Sequence, residues 1–272
     1  MTSPESTSAF KPKSGLGAAS EANAAAKSFK NQRTVSVLIP AYNEAERIGA
    51  TIAAVRLIPG VTEIVVVDDG SSDETAQRAE TAGADVVLRQ ENRGKGAALQ
   101  AAYLLSTGEI LLLVDADLGA SASEAALLLE PVINDAAGMT IATFPVGAGS
   151  GGGVGLVVGL ARWGIRRLTG RTMTAPLSGQ RALRRQLIAD VGGFAAGWGA
   201  EVALTVGALQ ANYQVREVPT SMSHRVTGHN LTGILHRGAQ FIAVAKILWQ
   251  MRTASSSRKE ENSTGAVIKR NG

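Results

Sequence analysis

Two aspartates one residue apart, Asp115 and Asp117, follow directly on the apolar run Ile110–Val114. With only Ala116 between them, both carboxylates can approach one cation. Hard divalent ions prefer oxygen ligands, and Mg2+ completes its shell with phosphate and water. Turn formation or helix capping explains one Asp readily. It explains two less well, because paired like charges repel unless something positive lies between them. A second acidic pair, Asp68 and Asp69, closes another apolar run, Glu63–Val67, within the string DDGSSDE. One of these carboxylates suits a base or ribose and the other suits loop backbone, while the same string is also a plain turn signal. Lys95 stands between Gly94 and Gly96 at a helix start, where free N–H groups and the helix dipole favour phosphate oxygens. This RGKG is not a Walker loop, since the upstream glycine and the Ser or Thr after Lys are missing. A simple ATPase or GTPase is thereby disfavoured.

Such groups need elements to hold them. β-branched TVSVLIP from Thr34 to Pro40 reads as a strand, and Ile48, Ile52 and Val55 follow at helical spacing. Glu63–Val67 is a second strand, and Ser72 or Asp73 can cap the helix that runs to Ala82. Asp85–Arg89, Ile110–Val114 and Met139–Phe144 are further strands, with helices at Gly94–Ser106 and Ser123–Asn134. Strands alternating with helices predict a mostly parallel, twisted α/β sheet, which binds ligands at the carboxyl ends of its strands. PAYNE, DDGSSD, the segment before RGKG, and DADL all fall at such ends. The second half is less regular. Gly147–Gly159 reads as a glycine-rich loop, with helices through Trp163 to Leu168, near Leu183–Val191 and over Ala200–Gln210. A last strand spans Gln214–Val218, and His224–His229 is a polar loop before a C-terminal helix.

In order and spacing, VLIPAYNE, VVVDDGSSDET, NRGKGAAL and LLLVDADL resemble the nucleotide-binding half of the family 2 glycosyltransferases, over about Val35–Leu118. The resemblance implies a GT-A fold, a single Rossmann-like sheet flanked by helices with an acceptor-side second half. It also implies that Pro40, Ala41, Tyr42, Glu44 and Asp68 surround a nucleoside, and that Lys95 touches the donor. Asp115 and Asp117 would then hold Mg2+ or Mn2+ against the diphosphate. Further on, GGG at Gly151–Gly153, PLSGQ at Pro176–Gln180, GWGAE at Gly197–Glu201 and HR at His224–Arg225 resemble motifs of the glucosyl-3-phosphoglycerate synthases. On that parallel His224 is a third metal ligand, and Gly179, Trp198, Glu201 and Arg225 face donor sugar or acceptor. Those synthases follow GGG with Arg-Val-Thr, whereas Val154, Gly155 and Leu156 stand here.

Chemistry supports the metal and Glu201 roles separately. A leaving nucleoside diphosphate gains negative charge, which a divalent cation and a lysine stabilise. In an inverting transfer a carboxylate deprotonates the acceptor hydroxyl, and Glu201 is the candidate; an ordinary first-turn helix acid fits Glu201 equally. A surface polar residue is the other reading of His224. The expected activity is hexose transfer from a UDP- or GDP-sugar to an acceptor, a small phosphorylated molecule such as a glycerate among them. Transfer to a polyprenyl phosphate at the membrane surface is the alternative, and sugar nucleotidyl transfer a weaker one. Nucleotidyltransferases carry a basic Gly-rich loop after the first strand, which PAYNEAER is not.

A pI of about 9.6 would suit a nucleic-acid binder, but the charge sits in the tails. Met1–Lys30 holds four Lys against two Glu, and Thr253–Gly272 holds four Lys or Arg against two Glu, which accounts for the whole formal +4. No nucleic-acid partner is therefore expected. Residues 1–33 and 253–272 read as disordered tails around a domain at 34–252. The chain has no cysteine, which excludes disulfides and thiolate metal sites and is compatible with a cytoplasmic location. Packing against the sheet is the preferred reading of the helices at 154–168 and 231–251; peripheral membrane contact by them, and a homodimer, are the further partners considered.

Overall fold

The strand-forming runs are apolar at successive positions because both faces of the sheet are covered. In the computed structural model, described over residues 33–144, 154–223 and 241–251, β1 (Val35–Ala41) sends Val35, Val37 and Ile39 to one face and Leu38 to the other. The first face packs on α1 (Ile48–Arg56) through Ile48, Ile52 and Val55, and on α4 (Ala126–Ile133) through Leu128, Leu129 and Val132. The opposite face packs on α3 (Lys95–Leu105), α5 (Val154–Thr169), α6 (Arg185–Val191), α7 (Ala200–Gln210) and the helical residues 241–251, called α8. The remaining strands are β2 (Val61–Asp68), β3 (Val86–Arg89), β4 (Ile110–Leu113), β5 (Met139–Thr143), β6 (Arg181–Arg184) and β7 (Val215–Pro219), with α2 at Thr75–Thr81.

The seven strands lie in the order β3-β2-β1-β4-β6-β5-β7. β1–β2, β1–β4, β2–β3 and β5–β7 pair in parallel, so β1 to β4 bring their carboxyl ends to one edge. β6 runs antiparallel to both β4 and β5. The expected helix near Leu183–Val191 is corrected accordingly: Arg181–Arg184 is a strand, and the helix begins at Arg185. Four residues flanked by arginines carry no strand signal of their own, and the gap between β4 and β5 imposes the conformation. The glycine-rich segment is also shorter than expected, since α5 begins at Val154 and takes in Gly155 and Gly159. A 3-10 turn at Gly119–Ala125 precedes α4, where one helix over Ser123–Asn134 was expected. Among the described residues no helix is long and apolar enough to cross a membrane.

Candidate active site

The ends of β1 and β2 are tied as register partners, Ala41 to Asp68, and the Asp69 amide donates to the Ala41 carbonyl at 2.8 Å. Beyond them the two loops interlock. The Asn43 amide donates to Ser71 Oγ (2.9 Å), the Ser72 amide to Asn43 Oδ1 (2.8 Å), and the Glu44 amide to Thr75 Oγ1 (2.8 Å). Asn43 takes a left-handed φ of 54°, a conformation Asn tolerates, and so reverses the chain there. Pro40 and Glu44 are half-buried, Ala41 is buried, and the Tyr42 ring stands 51% exposed. Asp68 is fully buried. Its Oδ1 accepts from the Ser71 amide at 2.9 Å, while Oδ2 lies 3.3 Å from Arg89 Nε without a hydrogen bond.

Asp69 takes the loop-backbone role. Its carboxylate accepts from Gln90 Nε2 (2.6 Å) and from the amides of Arg93 (2.9 Å) and Gly94 (2.7 Å), pinning the segment that delivers Lys95. Gly94 has φ 87° at the helix start, which only glycine adopts freely. Gly96 serves packing: a Cβ there would lie 2.0 Å from the Ala195 carbonyl oxygen.

The segment after β4 is held from α1. Thr51 Oγ1 donates to the Ala116 carbonyl and accepts the Gly119 amide, both at 2.8 Å, and Arg47 Nη1 donates to the Asp117 carbonyl at 3.1 Å. Ala116 and Leu118 enter the core, leaving Asp115 and Asp117 half-buried on the other side of the chain. There Lys95 Nζ lies 2.6 Å from Asp115 Oδ1 and 3.3 Å from Glu201 Oε1. Gln180 Nε2 donates to Asp115 Oδ2 at 2.7 Å. Gly179 closes against the cluster, since a Cβ would fall 2.4 Å from Lys95 Nζ and 2.9 Å from Asp115 Oδ2. Burial alone would lower the Lys95 pKa, but the charges of Asp115 and Glu201 outweigh it and hold the ammonium well above the usual lysine range. Glu201 is a first-turn acid of α7, and its carboxylate also faces Lys95.

The loop bearing Gly179 is gripped from two sides. Glu217 Oε1 accepts the amides of Thr174 and Ala175, both at 2.7 Å. The fully buried Arg181 donates through Nε to the Ser178 carbonyl (2.9 Å), through Nη2 to the Pro176 carbonyl (3.2 Å) and through Nη1 to Thr205 Oγ1 (2.9 Å). Burial pushes the Arg181 pKa down to about 10, against the charges of Glu201 and Glu217, so the guanidinium stays protonated at neutral pH. A cavity of about 250 Å3 opens between this loop, Asp115, Phe144 and Val158.

The fold thus gathers Lys95, Asp115, Gly179 and Glu201 into one cluster and sets Pro40–Glu44 and Asp68 along the same sheet edge. Trp198 belongs to a short 3-10 turn, Gly197–Gly199, at the foot of α7. His224, Arg225 and Gly151–Gly153 lie outside the described residues. Gln180, Arg181, Glu217, Arg47 and Thr51 were not singled out by sequence; of these only Gln180, inside PLSGQ, lay within a motif. For a divalent cation the donor set fits. Asp115 and Asp117 offer hard oxygens, and the Lys95 ammonium at Asp115 is a stand-in positive charge on that carboxylate. No group of three or more His, Cys, Asp or Glu among the described residues could hold a metal ion, so these two carboxylates need further ligands from elsewhere.

The profile of the family described as Glycosyl transferase family 2 matches residues 36–192. The glucosyl-3-phosphoglycerate synthase of Mycolicibacterium paratuberculosis is 33% identical over 221 residues, covering 69% of this chain and 66% of that protein, just under two thirds of its length. An undecaprenyl-phosphate 4-deoxy-4-formamido-L-arabinose transferase of Pectobacterium carotovorum is 38% identical over 108 residues, 36% of this chain and 33% of that protein. Among solved structures, glucosyl-3-phosphoglycerate synthase from Mycobacterium tuberculosis in complex with Mn2+, uridine-diphosphate and phosphoglyceric acid is similar with a TM-score of 0.67 and 26% identity. That likeness covers 89% of this chain and 84% of the other.

Proposed function

The chain belongs to glycosyltransferase family 2, and from that premise we propose that it moves a hexose from a UDP- or GDP-sugar to a small phosphorylated acceptor, a glycerate among them. The observation that carries this reading is the cluster of Lys95, Asp115 and Glu201 beside the Gly179 loop, at the carboxyl edge of a mostly parallel sheet. The complex of the Mycobacterium tuberculosis synthase with Mn2+, uridine-diphosphate and phosphoglyceric acid supports both the donor and the acceptor class. The partial likeness to an undecaprenyl-phosphate transferase supports a polyprenyl phosphate as the second acceptor reading. Work in the cytoplasm accords with a chain that has no cysteine. The finer partner readings are a peripheral membrane contact and a homodimer.

Asp115 and Asp117 would hold Mg2+ or Mn2+, with His224 as a third ligand. When bound, the cation supplies Lewis-acid stabilisation of the charge that develops on the leaving diphosphate. Lys95 adds a fixed positive charge to the same oxygens, and Asp115 and Glu201 keep it protonated while it does so. The loop at Pro40–Glu44 would flank the nucleoside, with Tyr42 exposed to meet it. Gly179 lets the acceptor-side loop approach the reacting atoms closely, and Arg225 and Trp198 would complete the sugar side. If the transfer inverts, Glu201, 3.3 Å from Lys95, would accept the acceptor's proton.

Incubation with a panel of UDP- and GDP-sugars, with and without Mn2+, tests the donor by release of nucleoside diphosphate. Failure to bind or cleave any member would overturn the assignment. Asp117→Ala is expected to abolish Mn2+-dependent donor binding in calorimetry; unchanged binding contradicts the metal role. Phosphoglycerate and a polyprenyl phosphate, supplied separately to the active pair, decide between the two acceptors.

A further inference from the structure

Two helices on the outer side of the sheet carry an unusual surface. α5 has no acidic residue, and its solvent-facing stripe holds Leu156, Trp163, Arg166 and Arg167, with Leu156 at 74% and Trp163 at 63% exposure. α8 lies against it, because Gly164 admits Leu248 so closely that a Cβ there would lie 2.2 Å from Leu248 Cδ1. Val244 and Leu248 enter the core with Val157, Ala161 and Ile165, which turns Ile242, Lys246 and Trp249 outward. Trp163, Arg167 and Trp249 line one groove of about 270 Å3 along the helix pair. Singly exposed apolar residues need no explanation, but a contiguous patch with two exposed indoles marks an interaction surface.

The charge around the patch selects the occupant. Residues 154–180 and 241–251 contain no Asp or Glu, while Arg166, Arg167, Arg171 and Lys246 are exposed on them. None of these four has an ion pair with a described residue. A two-fold contact with a second copy would set this basic face against itself, which like charges oppose. An indole ring suits the headgroup level of a bilayer, and arginines beside it suit lipid phosphates. We propose that the α5–α8 face docks peripherally on an anionic lipid surface, with Trp163 and Trp249 in the headgroup layer and Arg166, Arg167, Arg171 and Lys246 against phosphates. Val158 of α5 also borders the cavity beside Asp115, so docking holds the candidate active site close to the lipid.

Co-sedimentation of the full chain with vesicles tests this independently of any sugar transfer. Phosphatidylcholine vesicles with phosphatidylglycerol are expected to bind it at low salt, and vesicles of phosphatidylcholine alone to bind it at least about tenfold more weakly. Trp163→Ala with Trp249→Ala, and separately Arg166→Glu with Arg167→Glu, are each expected to reduce anionic binding by about tenfold or more. Unchanged circular dichroism establishes that these exposed substitutions leave the fold intact. Equal binding to neutral and anionic vesicles, or no binding to either, overturns the proposal. So does a dimer in light scattering that the tryptophan substitutions dissociate, since a second copy then occupies the face.

Discussion

At Lys95 burial and charge act in opposite directions, and charge prevails. The side chain is 27% exposed and lies between Asp115 and Glu201, whose joint attraction raises its pKa. A lysine whose folded pKa is raised adds stability that is complete below its unfolded value of about 10.4 and is lost as pH climbs through the folded one. The difference in thermal stability between wild type and Lys95→Met is therefore expected to stay flat from about pH 6 to 9 and to shrink only in strongly alkaline solution. Titration followed by circular dichroism reads this; a slope near neutrality would mean that another group dominates. For transfer, the same substitution is expected to lower kcat/KM by about 10²–10³, the usual loss when one stabilising donor is removed. Steady-state kinetics on the donor found in the panel measures it.

At the scale of elements, the site depends on short segments that are held by side chains. Arg181 and Glu217 fix the 174–178 loop through its carbonyls and amides, and Gly179 with Gln180 continues that loop onto Asp115. Arg181→Met leaves buried carbonyls without donors and is expected to cost on the order of 3 kcal/mol in urea unfolding. Arg181→Lys should recover part of that loss, because an ammonium reaches fewer of the same acceptors than a planar guanidinium. Gly96 is the second such point. Gly96→Ala drives a methyl into the Ala195 carbonyl and is expected to destabilise by about 1–3 kcal/mol. It should also raise KM for the donor, because α3 presents Lys95 from its first turn; a changed stability with unchanged KM would separate packing from positioning.

Over the whole molecule, one sheet with two covered faces is the frame to which the site loops are tied. Its clusters run from β1 outward on both sides and reach α8 at one end of the described chain. We propose residues 34–252 as the complete folding unit. A chain trimmed to those residues is expected to unfold in one transition within a few degrees of the full-length Tm. Scanning calorimetry of both forms checks this, and a large drop in Tm would assign a structural role to one of the trimmed ends.

Much of the first half was legible because its signals are local. Buried parallel strands read as unbroken apolar runs, their ends are marked by Asp, Asn and Gly, and Asp115, Asp117 and Lys95 stand at such ends. The sequence by itself therefore determined most of the strands, the carboxyl edge that β1 to β4 share, and the family. Tertiary structure alone decided which groups meet. Glu201 reaches Lys95 across a long stretch of chain, and Gln180 reaches Asp115 only because β6 inserts antiparallel between β4 and β5. Four residues such as RALR carry no period of their own, so their strand follows from the gap they fill. Gly96 read as a glycine for close phosphate approach, and the fold uses it for packing against Ala195, while of the two readings open for Asp69 the fold shows loop anchoring. Contacts between distant segments leave no spacing to read, which is why the strand ends could be found from the residues and their partners could not.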